Sequence, residues 1–221
     1  YLTIYNYDRR HRLKTRPRTE QSRSFVKAFL QLFYCETSEL SQNIIDITNT
    51  SRIVSAVSSW KPAFDVTHPG LGSKDDFVTP PDQIGVFFYR PFDTFADEKG
   101  IIVGTSSTAV AVADDNLVAP IANGTSAGQF VYYGCCGLNY TTGSSSASFD
   151  VERIFKNSSG GGITVAEIGM YAGWASITGG GSTSGGEGET TYCILRDVLS
   201  PTVTVNTNEY LKVKYTITVS N

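Results

Sequence analysis

Histidine occurs only twice in these 221 residues, as His11 and His68, and no G-x-S-x-G elbow accompanies either, so a Ser-His-Asp arrangement would depend on His68 alone. The four cysteines, Cys35, Cys135, Cys136 and Cys193, lack C-x-x-C spacing and are too few for a dense disulfide framework, which removes the common zinc and redox motifs. There is no G-x-x-x-x-G-K-[ST] phosphate loop. The most glycine-rich stretch, TGGGSTSGGEGE at 178–189, has Glu187 and Glu189 where a phosphate would need cations, and so many glycines predict an exposed loop. No apolar run approaches the roughly 20 residues that cross a bilayer, and no membrane association is expected. The first 24 residues are basic and polar, with no apolar segment of the kind a signal peptide needs.

Adjacent carboxylates do occur, at Asp75-Asp76, Asp97-Glu98 and Asp114-Asp115. Neighbours on an extended backbone point to opposite sides, and each pair sits among turn residues, where Asp accepts nearby backbone N–H groups. Solvated turns are the ordinary explanation; a calcium site around Asp65, Asp75 and Asp76, or hydrolysis through an acidic pair, is the sharper alternative. The sequence therefore points to no catalytic residue, no metal and no cofactor.

What the chain does have is β-forming side chains and an uneven charge. Thr, Val, Ile, Tyr and Phe recur throughout, and charged residues, at 18%, fall below the roughly 25% of an average soluble domain. Residues 1–23 carry a net charge of +5 and the remaining residues −8, within an overall −3. A basic segment on an acidic body suits an acidic neighbouring subunit, including a second copy of the chain. Nucleic acid is not expected, because no aromatic residue is interleaved among the cations between Asp8 and Ser24 for base stacking.

Three regions follow. Residues 1–24 read as an extended basic arm, with Arg9, Arg10, Arg12, Lys14, Arg16 and Arg18 as candidate assembly contacts. Residues 25–82 read as a short helix and a loop-rich docking segment, in which Phe25, Phe29, Leu32 and Phe33 have helical spacing and are candidate apolar anchors. Residues 83–221 read as a β domain. There GIIVG and TAVAVA suggest short buried strands, and Phe149 to Phe155 and Ile163 to Val165 suggest a hairpin closed by NSSGGG. CILRDVL, at 193–199, and the pair Val203 and Val205 read as successive strands. Leu211, Val213, Tyr215, Ile217 and Val219 then alternate with polar residues as a half-buried strand. The expected class is all-β, an antiparallel β-sandwich of jelly-roll or immunoglobulin-like kind. Cys135 and Cys136, if in a strand, face opposite ways as small apolar fillers. Tyr132, Tyr133, Tyr140 and Trp174 are candidate ligand-facing aromatics for a glycan, with a sheet face or subunit interface as the plainer reading.

Residues 100–134 (GIIVGTSSTAVAVADDNLVAPIANGTSAGQFVYYG), 149–171 (FDVERIFKNSSGGGITVAEIGMY) and 195–219 (LRDVLSPTVTVNTNEYLKVKYTITV) form an ordered set of blocks. This set resembles structural proteins of tailed bacteriophages and spans about half the chain. The resemblance implies a β-sandwich component of the virion, of fibre, neck, tail or capsid-decoration type, whose partners are identical subunits and other particle proteins. It carries no catalytic residue onto this chain. A carbohydrate- or receptor-binding module, meeting a host surface, is the alternative.

Overall fold

A computed structural model describes residues 1–22, 25–38, 42–54, 99–134, 136–176 and 188–220. Their strands are β1 (Leu2–Tyr7), β2 (Arg18–Glu20), β3 (Gln42–Ile45), β4 (Ser51–Val54), β5 (Gly100–Gly104), β6 (Phe130–Tyr132), β7 (Cys136–Thr142), β8 (Ser146–Asn157), β9 (Ile163–Ser176), β10 (Gly188–Val205) and β11 (Tyr210–Ser220). A helix, α1 (Lys27–Ser38), lies between β2 and β3. The larger sheet has the order β2-β1-β11-β8-β6, with β7 also on β8; a second has the order β10-β9-β5, and β3 pairs with β4. Every pairing between these strands is antiparallel, so the chain is all-β, as its composition predicts.

The C-terminal strand shows why the larger sheet forms. Leu211, Val213 and Tyr215 are buried, while Lys212 and Lys214 on the other face reach Glu152 at 2.7 Å and Asp150 at 3.1 Å across the ladder to β8. Fully burying each large apolar side chain contributes about 1.5–3 kcal/mol, so this face alone is a substantial share of the stability. Val151 and Phe155 from β8 join the same core, as do Val165, Ile168 and Met170 from β9 and Tyr192 and Leu195 from β10. The two larger sheets thus share one continuous core.

Several elements differ from the sequence reading. The basic N-terminal segment is not an arm. LTIYNY alternates ahead of the cations, so Leu2 and Ile4 enter the core and β1 lies between β2 and β11. Residues 8–17 are then the turn that joins β1 to β2. Val26, Ala28, Leu32, Ile44 and Val54 belong to the same core as Leu2 and Val213, so packing does not divide the chain at 24/25. The division at 82/83 lies outside the described residues, as do IGVFFY, Asp65, Asp75-Asp76, Asp97-Glu98, His68 and Cys135.

β8 and β9 do not pair as a hairpin. β8 belongs to the larger sheet and β9 to the second, and NSSGGG carries the chain between them. The buried Asn157 side chain fixes that crossing: its amide donates to the carbonyls of Gly161 and Val205, both at 2.7 Å, and its oxygen accepts from the Ser159 amide at 3.0 Å. Likewise, CILRDVL and Val203-Val205 form one strand, β10. Its ladder to β9 shifts register between Val198 and Val203, around Pro201, which has no N–H to give.

TAVAVA is not a strand either. The carbonyls of Thr108 and Ala109 are taken by the Arg196 guanidinium and that of Val112 by the Lys27 amide, which holds the segment as a surface loop. The loop-rich reading after α1 gives way in part to the β3–β4 hairpin. The Asp46 carboxylate closes its turn by accepting from the amides of Thr48 and Thr50, both at 2.9 Å, and from Arg52 at 2.9 Å.

Candidate functional site

The cations of the N-terminal segment gather on the β1–β2 turn, whose shape is set by Asp8. One carboxylate oxygen accepts from the amides of Arg10 and Arg12 at 2.8 and 2.9 Å; the other meets the Arg12 guanidinium at 2.8 Å. The Arg12 amide, helped by the Arg12 side chain and the Arg10 amide, holds the Asp8 carboxyl down to about 2. His11 takes a left-handed backbone conformation, φ 60°, and its ring lies against Tyr210 with centroids 4.4 Å apart. A second tie comes from Lys14, whose ammonium sits 2.6 Å from Glu209 on the turn between β10 and β11. Burial pushes the Glu209 carboxyl up, but hydrogen bonds from Lys14 and the Asn206 amide outweigh it and leave the pKa below the ordinary value. The two turns enclose a solvent-open cleft of about 360 Å³, lined by Asp8, Arg9, Arg10, Arg12, Thr207 and Glu209.

These contacts sort the six candidate cations into two groups. Arg12 is held by Asp8, Lys14 by Glu209, and Arg18 by Glu20 at 2.6 Å and by the Pro201 carbonyl. Arg9, Arg10 and Arg16 are exposed, and their side chains pair with no carboxylate among the described residues. A rigid turn therefore presents three unneutralised guanidinium groups. Such groups, with fixed planar donor forks, are suited to carboxylates or phosphates on a partner.

The apolar anchors are distributed differently from the expectation. Leu32 is fully buried in this chain's own core and offers nothing to a neighbour; Phe29 packs against that core. Phe25 is 44% exposed and lies against Phe29 with ring centroids 4.3 Å apart, while the Phe33 side chain falls outside the described residues. Sequence reasoning missed Leu30 and Tyr34, which are exposed on α1. Their signal was available: at 3.6 residues per turn they lie about half a turn from the buried pair Ala28 and Leu32.

Among the candidate ligand-facing aromatics, Tyr132 is a correction. β6 turns Phe130 and Tyr132 inward, so the Tyr132 hydroxyl donates to the Ile121 carbonyl at 2.6 Å and its ring meets Phe155 edge-on at 4.8 Å. Tyr133, the next residue, and Tyr140 on β7 are exposed, and no ring contact joins them among the described residues. The Trp174 side chain lies outside the described residues.

The acidic residues do structural work. Asp114, expected in a solvated turn, meets Arg196 at 2.7 Å, and the fully buried Arg196 also meets the fully buried Glu167 at 2.9 Å. Burial disfavours the Arg196 charge, but the hydrogen bonds it donates to Asp114 and Glu167 prevail and raise its pKa. Glu167 also accepts from the amides of Ala119 and Val118, and the Tyr171 hydroxyl accepts from the Leu117 amide at 2.8 Å. Through these bonds the cluster fixes the loop between β5 and β6 onto β9 and β10. Among the described residues, no group of His, Cys, Asp and Glu has the arrangement of a metal site, and no helix is long and apolar enough to cross a membrane. No family model, curated protein or solved structure matches the chain.

Proposed function

We propose that this chain is a non-enzymatic structural subunit of a tailed-bacteriophage virion, a β-sandwich of jelly-roll or immunoglobulin-like kind. It self-associates and docks onto other particle proteins through its basic N-terminal segment. The observation that carries this reading is the set of exposed, unneutralised groups of Arg9, Arg10 and Arg16 on a turn held by Asp8 and Glu209. The resemblance of the three C-terminal blocks to phage structural proteins, and a single core shared by two antiparallel sheets, support the same reading.

The test is a charge-reversed triple variant, R9E/R10E/R16E, rather than removal of residues 1–24. Deleting the segment strips Leu2 and Ile4 from the core and would confuse unfolding with loss of docking. The variant is expected to melt with the wild-type protein and to be lost from particles assembled in its presence. Normal incorporation would refute the reading. An alternative glycan-binding reading retains Tyr140, which is 75% exposed, and Tyr133 as contacts; binding on a glycan array that Y133A/Y140A abolishes would favour it.

A further inference from the structure

We infer that two copies of the chain pair through β7, antiparallel about a two-fold axis, so that their larger sheets join into one continuous sheet. The inference rests on the reading above that the chain self-associates. It adds the surface and the symmetry of that contact and leaves the basic turn free for other partners.

The edges of the two larger sheets are finished unequally. On β10, the carbonyls of Ile194 and Thr191 accept from the amides of Val26 and Ile47 at 3.2 and 3.1 Å. On β5, the Val103 carbonyl accepts from the Ile121 amide at 2.9 Å. On β6, the Phe130 amide donates to Ala122 at 3.2 Å and the Phe130 carbonyl accepts from Gly124 at 2.8 Å. β2 is three residues long and carries Arg18 and Glu20, the short, charged form of edge that discourages pairing. β7 differs from all of these. It has seven residues and pairs with β8, and its other side meets no backbone group among the described residues.

The contact between Thr216 and Tyr1 shows which groups of β7 are left over. Thr216 exchanges both backbone hydrogen bonds with Tyr1, at 2.7 and 2.8 Å, so its backbone turns away from β8, and Asp150 opposite it turns toward β7. By alternation, Ser148 also bonds to β7, at Thr141, and Thr142 directs its amide and carbonyl outward. The same count turns the Gly137 backbone outward.

Two features select a second copy as the occupant. From Gly137 to Phe149 there is no charged residue and no proline, so two copies meet here without like-charge repulsion and without the residues that protect an edge. The ladder to β8 also shifts register between Leu138 and Thr141, a bulge that places one extra residue in β7. On a two-fold axis at the bulge, the extra residue of one copy faces that of the other, whereas a regular strand would meet a mismatch. Tyr140, which is 75% exposed, stands at that axis.

Amide hydrogen exchange of the full chain, resolved by residue over a concentration series and paired with sedimentation, tests this. The Thr142 amide is expected to exchange about tenfold or more slowly where dimers dominate than in dilute monomer, while the Thr141 amide, held by β8, changes little. Thr142→Pro removes an amide that the ladder to β8 does not use, so it is expected to keep the wild-type melt and to weaken dimerisation about tenfold or more. Thr142→Lys, which keeps the amide and places a charge on the edge of each copy, is expected to weaken it as well. Dimers whose formation leaves the Thr142 amide exchanging as in the monomer, or that both variants form as readily as the wild type, would overturn pairing through β7 while leaving self-association intact. A wild-type protein that stays monomeric at every concentration would remove self-association itself, and the inference with it.

Discussion

Lys14 and Glu209 are 195 positions apart in the chain, yet their side chains meet at 2.6 Å. The contact spans the two turns at one end of the molecule and fixes where the free arginines stand. Both side chains are largely shielded, so the pair is stronger than a fully exposed one but remains subject to salt. A double-mutant cycle of Lys14→Ala and Glu209→Gln is expected to give a coupling of about 0.5–1 kcal/mol in urea unfolding.

The pH dependence of that contact has a definite sign. The folded-state pKa of Glu209 lies below its ordinary value of 4.5, so the folded protein holds the charged form more tightly than the unfolded chain does. The contribution is complete above pH 4.5 and is lost as pH falls through the folded value. The difference in melting temperature between wild type and Glu209→Gln is expected to be constant from pH 7 to 5.5 and to shrink from about pH 4.5 downward. A difference that widens on acidification would contradict the role given to Lys14.

How far the sequence could reveal all this depended on how local the signal was. The alternation from Leu211 to Tyr215 and the helical spacing around Leu32 are properties of a few consecutive residues, and both are legible. β1 carries a short alternating pattern too, but the cations that follow it drew the whole segment into one charged class, although only residues beyond Tyr7 leave the sheet. NSSGGG looks like a hairpin loop because glycine and serine report a reversal of the chain but not which sheet receives it. That choice depends on Asn157 meeting Val205, 48 positions away. In the candidate site, the identity of the cations was legible and their division into held and free was not, because Glu209 reaches Lys14 only through the tertiary fold.

The same reasoning applies to the charges that the sequence left in solvent. Replacing Glu167 by Ala leaves Arg196 buried with Asp114 as its remaining carboxylate and removes the acceptor for the amides of Val118 and Ala119. Breaking such a buried pair is expected to cost about 3–5 kcal/mol, readable as a lower urea midpoint with an unchanged slope. Arg196→Met with Glu167→Leu, which removes both charges, is expected to recover part of that loss. No recovery would mean that the fixed loop, and not the buried charge, governs the cost.

Two glycines show how closely that loop is pressed onto the second sheet. A Cβ at Gly169 would come within 2.1 Å of the end of the Leu117 side chain, and one at Gly104 within 2.7 Å of the Ala119 carbonyl oxygen. Leu117 is buried but ends in a side chain that can turn, whereas the Ala119 carbonyl belongs to backbone bonded to β5. Both alanine substitutions are expected to destabilise by about 1–3 kcal/mol, with Gly104→Ala the costlier. Hydrogen exchange at the Thr105 and Ile121 amides separates them: it should accelerate in Gly104→Ala, where the Ala119 contact is displaced, and change little in Gly169→Ala.

Cys193 gives an independent check on the core. Its side chain is fully buried on β10, its thiol donates to the Leu195 carbonyl, and burial pushes the thiol up to about 12. At pH 8 such a thiol stays protonated, and the thiolate is the form that reacts. Native protein treated with a maleimide and analysed peptide by peptide is therefore expected to leave Cys193 unmodified, whereas protein in urea should be labelled there fully. The labelling should appear with the global unfolding transition, since Cys193 opens only when β10 leaves β9. Modification well below that transition would mean that β10 opens on its own.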